Sequence, residues 1–442
     1  MSSKNADKLS ILPEEILSYI LSLMPTKYAI QTSILSKRWR YTWMLVTNLD
    51  FEDILTMDSF HSLTKIVDRV LKFCTPSQVK LFRLHLRVNC SLEASVSYWI
   101  YKVVRLNIRD LDLEAHLFQL PLSMFTCKTL TTLILIQSPH DRNDDWEIHF
   151  PVNLPCLKTL DITGYANLVP SAFKLINGCS VLESLSLKVT FSGGLEDYLF
   201  NIPTLKRLRI IFICHEFHKN MNKVVLNVPN LEYIFFDGTL CSLFVMEDVS
   251  SLVEASFKFF RIFFYFLWVE LLNGLSGVKS LSLQNISSLM EFRSPISLRL
   301  PIFPNMTHLE LKWLWHTRLI PQFLERAPEL KHLFIEKLAD PFRKEPEEYS
   351  WVDPKLVPVC MLTNLTTIKF TMGVHWKCFV PLMEYVLGNA EVLKTVTIVC
   401  EYLRIEEEDK RLRAEFFKLL PRVSRHSEIH FHGNWSHSTI MQ

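Results

Sequence analysis

The sequence predicts an α/β chain in which a short all-α module precedes a curved, parallel β-sheet with helices or irregular turns on its convex side. Three observations predict it. Residues 9–43 carry helix start signals and apolar positions at helical spacing. Beyond residue 80, one pattern, apolar-x-x-apolar-x-apolar, recurs thirteen times at a mean spacing of 26 residues. The 442 residues are 49% hydrophobic and 21% charged, a composition that folds rather than stays disordered.

Within the N-terminal module, Pro13 suits the first turn of a helix, where its missing N–H is not needed. Glu14 and Glu15 follow at the positive end of the helix dipole. Ile16, Leu17, Ile20, Leu21 and Met24 mark one apolar face. Pro25 stops this helix, and Thr26 is placed to cap a second, continued by Ala29, Ile30, Ser33 and Ile34. Trp39 and Trp43 lie four apart and share a face if helical. A module of about 40 residues cannot bury enough surface alone. Five aliphatics at roughly 1.5–3 kcal/mol each contribute on the order of 10 kcal/mol when covered. Association itself costs a comparable ~4–15 kcal/mol. The pattern leaves two covers open: the rest of the chain, or a foreign subunit.

The same segment resembles an F-box, specifically the plant form. The matching residues are Asp7, Leu9, Ser10, Leu12-Pro13, Glu15-Ile16-Leu17, Ile20-Leu21, Leu23, Pro25-Thr26-Lys27, Ala29, Thr32-Ser33, Leu35-Ser36-Lys37-Arg38-Trp39-Arg40 and Trp43. Lys8 stands where that family usually has arginine. The resemblance implies a three-helix module over 5–50 that binds the Skp-type adaptor of a cullin–RING ubiquitin ligase. It implies an adaptor contact through Leu12, Pro13, Ile16, Leu17, Ile20, Pro25, Ile30, Leu35 and Trp39. Trp39 and Trp43 alternatively bridge to the following domain.

The recurring pattern starts at Leu81, Ile108, Leu130, Leu157, Leu182, Leu205, Leu231, Leu252, Val278, Met306, Leu330, Leu365 and Leu393. Leucine-rich repeats run 20–29 residues. Residues 51–350 therefore read as a leucine-rich-repeat solenoid of irregular repeats starting near residue 81. The fit at Leu252-x-x-Ala255-x-Phe257 is poor and is accepted partly because it fills a slot. One repeat cannot bury its apolar row, but a stack can. The asparagine of a standard repeat is not consistently present, which predicts less regular backbone bonding in the turns.

Strand alternation turns the intervening residues outward. They include Arg83, His85, Arg87, Asp110, Asp112, Glu114, Arg207, Arg209, Tyr233, Phe235, His308, Glu310, Lys312, His332, Phe334 and Glu336. Arg and Tyr are enriched at protein–protein hot spots. Arg207, Arg209, Tyr233 and Phe235 are therefore the expected target-binding patch, the alternative being an ordinary solvated strand face. The acidic residues 110–114 interrupt any basic stripe of the kind nucleic acid requires. A proline-rich, charged stretch after Leu330 reads as a surface insertion.

The most apolar run, Phe257 to Leu275, is broken by Lys258, Arg261 and Glu270. A membrane span needs about 18–20 apolar residues. A buried or partner-covered helix is expected instead, with Leu267, Leu271 and Leu275 at helical spacing.

Residues 351–432 resemble an FBD domain, expected to continue and cap the solenoid. The matches are Trp351, Pro358, Cys360, Leu365, Ile368, Phe370, Gly373, Glu384 to Leu387, Asn389-Ala390, Leu393 and Ile398. Leu419 to Arg422 and Ser427-Glu428-Ile429 resemble its closing strand. The acidic residue usual after the glycine is absent; Val374 to Lys377 stand there. Residues 401–420 read as a helix with Glu406–Lys410 and Glu407–Arg411 pairs.

The net charge of +2 gives no field to gather nucleic acid or anionic lipid. With only 10 glycines and no phosphate-binding motif, nucleotide chemistry is disfavoured. Ten scattered cysteines without CxxC pairs, and a polar N-terminus, fit reduced thiols in a cytoplasmic or nuclear protein. His215-Glu216-Phe217-His218 falls one residue short of HExxH, and His430 and His432 read as a surface pair. No catalytic residue, metal or cofactor is expected. The resemblances imply a substrate receptor of an Skp–cullin–F-box ligase: the module takes the adaptor, and through it cullin and RING subunits, while the repeats take an unknown target protein. The alternatives are a non-degradative adaptor-bound protein or a small-molecule-dependent receptor.

Overall fold

The structure is a computed structural model. It describes residues 9–51, 60–74, 79–86, 93–115, 120–137, 148–164, 169–191, 197–214, 223–262, 264–285, 300–312, 319–337, 351, 353–372, 380–400, 423–424 and 428–433. Arg87, the 215–218 motif, the insertion after residue 337, residues 373–377 and the 401–420 segment lie outside the described residues. The chain divides into two units, one drawn from 1–192 and 204–215, the other from 193–203 and 216–442.

The first unit opens with helices α1 (Glu14–Ser22), α2 (Thr26–Gln31) and α3 (Trp39–Thr42), joined by short 3-10 turns. A parallel ladder follows: β1 (Asn48–Phe51), β2 (Leu81–His85), β3 (Asp110–Ala115), β4 (Thr132–Gln137), β5 (Thr159–Gly164) and β6 (Ser184–Phe191). Helices α4 (Phe60–Phe73), α5 (Glu93–Arg105), α6 (Leu122–Phe125) and α7 (Val169–Asn177) fill the connections. β7 (Tyr198–Asn201) belongs to the second unit, and β8 (Arg207–Cys214) pairs with β6 in the first.

In the second unit, β9 (Lys223–Asn227) and β11 (Leu243–Asp248) join β7 in a three-stranded parallel sheet. The ladder strands are β10 (Tyr233–Leu240), β12 (Glu254–Ile262), β13 (Ser280–Gln284), β14 (His308–Lys312), β15 (His332–Lys337), β16 (Thr367–Met372), β17 (Thr395–Cys400) and β18 (Glu428–Gly433). Helices α8 (Tyr265–Gly274), α9 (Ile320–Arg326), α10 (Val359–Thr363) and α11 (Val380–Asn389) lie between them. The segment resembling an FBD thus supplies further rungs of the same parallel kind.

Each repeat buries its three apolar positions, as at Leu130, Leu133 and Leu135, or Met306, Leu309 and Leu311. The doubtful Leu252, Ala255 and Phe257 are buried too. The first repeat is the exception. Leu81 sits half outward, and Val79, two residues earlier, takes the inner position with Phe82 and Leu84. The ladder also begins before residue 81. Val46, Leu49 and Phe51 carry the same pattern on β1 and are buried.

The turns are more regular than the missing asparagines imply. Eleven times among the described residues, one carbonyl at a strand entry accepts two successive N–H groups from the next repeat. Thr131 accepts from Lys158 and Thr159, and Lys279 from Thr307 and His308, all near 3 Å. Backbone groups supply this clasp, so no side chain is required for it. At several repeats a side chain just ahead of the inner row adds a stitch. Thr129 donates to the Ile108 carbonyl, Thr204 to Leu182 and Asn230 to Pro203, each at 2.7 Å.

The apolar run divides in two. Phe257 and Phe259 alternate inward on β12, where a strand forms and not the expected helix. Lys258 between Phe257 and Phe259 marks the alternation of a strand, a signal that the apolar residues around it obscure. Leu267, Leu271 and Leu275 do bury one side of α8. Phe257 stacks on Phe236 at 5.8 Å, and Phe259 meets Trp268 edge-on at 5.5 Å. Among the described residues, no helix is long and apolar enough to cross a membrane.

Two glycines give opposite expectations. A Cβ on Gly178 meets Val152 Cβ at 2.6 Å and its carbonyl oxygen at 2.8 Å, so backbone must move. A Cβ on Gly274 meets mainly the flexible Met246 side chain. Gly178→Ala should cost about 1–3 kcal/mol, read as a lower denaturation midpoint. Gly274→Ala should stay within about 1 kcal/mol of wild type, because alanine's helix preference offsets the contact.

Candidate functional site

Two surfaces answer to the predicted sites: the N-terminal module and the outward strand faces. Helix α1 is apolar on two sides. Leu17 and Leu21, one turn apart, are 0% exposed. Ile16 and Leu23 point away, at 45% and 67% exposure. Leu12, Ile20, Pro25 and Ile30 are half-buried, and Pro13 is exposed. Leu35 stands 66% exposed beside Ile34 at 86%. Leu17 and Trp39, expected in the adaptor contact, are instead turned into the chain's own core, and Trp43 is buried with them. Of the 24 exposed large hydrophobic residues among those described, ten fall between Leu9 and Leu45. Large exposed apolar patches are characteristic of interaction sites. Ile11, Leu23 and Ile34, which the resemblance does not single out for the adaptor contact, are exposed on the same module at 69%, 67% and 86%.

The buried side is held by polar joints. The Thr26 hydroxyl, expected to cap α2, instead accepts the Asp50 N–H at 2.7 Å, and Pro25 occupies the cap position. The Ser22 hydroxyl accepts the Thr47 N–H at 3.1 Å, and the Asn48 amide donates to the Ser22 carbonyl at 3.0 Å. Arg38 donates to the Leu12 carbonyl. The module's first two helices are thereby tied to β1, with one flank uncovered.

On the outward face of the first unit, Asp112 is only 7% exposed, not solvated. Arg83 donates to it from Nε at 2.8 Å and reaches Asp50 from Nη1 at 3.2 Å. His85 Nε2 lies 2.9 Å from the other Asp112 oxygen, and Nδ1 lies 3.7 Å from Glu114. Burial pushes the Asp112 carboxyl up, but hydrogen bonds from His85 and Arg83, with their charges, outweigh it and hold it below the usual range. Two strands away, burial raises Asp161, opposed by the Ser186 hydrogen bond and Arg209.

The four expected target residues divide between the units. Arg207 and Arg209 are exposed on β8, while Tyr233 and Phe235 are half-buried on β10. On the second unit's outward face, His308 and His332 stack at 4.3 Å. Burial, then the charges of His308 and Lys331, lower His332. Burial raises the thiols of Cys74, Cys179 and Cys360 to about 12, which keeps them unreactive. Among the described residues, no group of three or more His, Cys, Asp or Glu could hold a metal ion.

Comparisons with known proteins agree with this architecture. Family models match for the F-box domain over 9–54, for the LRR repeats of FBD-associated F-box protein At5g56370 over 96–250, and for the FBD over 353–398. The F-box/FBD/LRR-repeat protein At3g26920 of Arabidopsis thaliana is 31% identical over 434 residues, covering 90% of each chain. From the same plant, the F-box/LRR-repeat protein At3g59200 is 32% identical, covering 78% of this chain and 72% of its own. The FBD-associated F-box protein At4g10400 is 30% identical, covering 89% and 92%. Helical module and parallel ladder together define an F-box protein built on leucine-rich repeats. The chain belongs to the F-box/FBD/LRR-repeat family.

Asp112 makes a pH test. Because its folded value is depressed, its ionised form contributes stability above the ordinary aspartate value near pH 3.9. That contribution is lost as the pH falls through the folded value. Asp112→Asn should cost about 1.5–3 kcal/mol at pH 7. Its difference from wild type in urea unfolding should shrink as the pH falls below about 4.

Proposed function

We propose that this chain is the substrate-recognition subunit of an Skp–cullin–F-box ubiquitin ligase. The N-terminal module takes an Skp-type adaptor, and through it cullin and RING subunits; the repeats take a target protein. The chain supplies proximity and no catalytic group. The two-sided α1 helix carries this reading. Its Leu17–Leu21 side is consumed within the chain, so Ile16, Ile20 and Leu23, with Leu12, Pro13, Ile34 and Leu35, are left for a foreign surface. The joints at Ser22 and Thr26 hold that flank to the ladder, which fixes the target relative to the ligase.

The test is affinity purification of the full chain beside a Leu12→Ala/Pro13→Ala double variant and an Ile34→Asp variant. Both should lose adaptor and cullin at least about tenfold, as expected for interface hot spots, with the thermal midpoint unchanged because these residues are not core. Leu17→Ala should instead lower the midpoint, by about 2–5 kcal/mol of stability. Adaptor recovery equal to wild type in both surface variants would overturn the assignment.

A further inference from the structure

Register places the outward side chains of the first unit in rows across the strands. One row runs Asp50, Arg83, Asp112, Ile134, Asp161, Ser186, Arg209. Its neighbours place Asp110 beside Thr132, Thr159, Ser184 and Arg207, and Glu114 beside Ile136, Thr163 and Lys188. Arg83 stands between Asp50 and Asp112, and Asp161 lies among the basic strands, yet the net charge summed by strand changes sign along the ladder. On β1 to β3 the outward groups are four carboxylates (Asp50, Asp110, Asp112, Glu114) against one guanidinium (Arg83) and the His85 imidazole, a net charge of −3 with histidine neutral. On β4 they are Thr132, Ile134 and Ile136, without charge. On β5, β6 and β8 they are Lys188, Arg207 and Arg209 against Asp161, a net charge of +2. The internal ion pairs do not cancel either excess.

Resting on the receptor reading above, we infer that this face binds an extended target segment of bipolar charge: cationic side chains over β2–β3, an aliphatic residue over Ile134 and Ile136, and acidic side chains over β6–β8. Neighbouring strands lie about 4.8 Å apart, so β3 to β8 is roughly 19 Å, the reach of about six extended residues. Opposite charge on the partner speeds encounter and fixes its register, and like charge at either end is rejected. Either backbone direction satisfies the pattern, so the requirement is separation of the charges and not their order in the sequence.

The probes are fluorescein-labelled eight-residue peptides of one composition, with charges either blocked (two basic, four neutral with an aliphatic centre, two acidic) or alternating, and a third peptide basic at both ends. Fluorescence anisotropy with the full chain should show the blocked peptide binding at least tenfold tighter than the alternating one, with the preference falling as salt rises. The Arg207→Glu/Arg209→Glu variant should reverse the ranking in favour of the doubly basic peptide. Equal binding of blocked and alternating peptides, an unchanged ranking in the variant, or no binding at millimolar peptide would overturn the inference. So would concentration-dependent self-association abolished by the same variant, which would make a second copy the occupant. Adaptor capture is scored in parallel. Retained adaptor with a flat peptide ranking refutes the bipolar face alone, whereas wild-type chain that captures no adaptor refutes the ligase reading.

Discussion

At eleven strand entries among the described residues, one backbone carbonyl accepts two successive N–H groups from the repeat that follows. This clasp is the constraint on which each ladder depends. A parallel pair slipped by one residue would turn its inner row outward. The clasp sets the pairing before the strand begins, using groups that every residue except proline carries. It therefore tolerates Thr, Arg, Lys, Glu or Val at the accepting position, as Thr131, Arg109, Lys158, Glu183 and Val253 show. Repeats of unequal length still deliver their apolar rows to one side, because only the strand entry has to be regular.

Much of this was legible in the residues. The inner row is a spacing signal, and it located twelve of its thirteen strands in register. It slipped at Leu81 because two apolar residues of the same parity, Val79 and Leu81, compete there, and only burial decides between them. It passed over β1 because Val46-x-x-Leu49-x-Phe51 lies directly behind the F-box motif, whose stronger signal claimed it. The small sheet of β7, β9 and β11 had no such marker. Its strands are four to six residues long and fill a place where helices or turns were expected.

The N-terminal module shows the limit of reading a site from pattern. An apolar stripe says that a helix must be covered, not by what. Leu17 and Trp39 belong to the same motif as Ile16 and Leu35, yet the fold buries the first pair and exposes the second. What separates them is how α1, α2, α3 and the turn after α3 pack on one another, and no helical period encodes it. Thr26 looks like a helix cap in the sequence, and Ser22 carries no signal there at all. In the fold their hydroxyls accept backbone N–H groups from β1 and its approach, leaving one flank of α1 free.

The ladder separates two tasks by the parity of residue position. Inner positions are restricted to residues that pack, and the clasp needs no particular side chain, so most outward positions are released from a fixed structural role. Where they nonetheless form a tight network, as Arg83, His85 and Asp112 do, the network restrains the side chains and costs a recognition site little adaptation. Arg207 and Arg209 are more exposed than Asp112, and Arg209 is attracted to Asp161. On the bipolar reading, the segment's cations would meet preorganised groups and its acids the more exposed arginines. The difference between the two ends is entropic: ordering the partner against fixed groups costs one set of side chains, while ordering it against groups not yet fixed costs two.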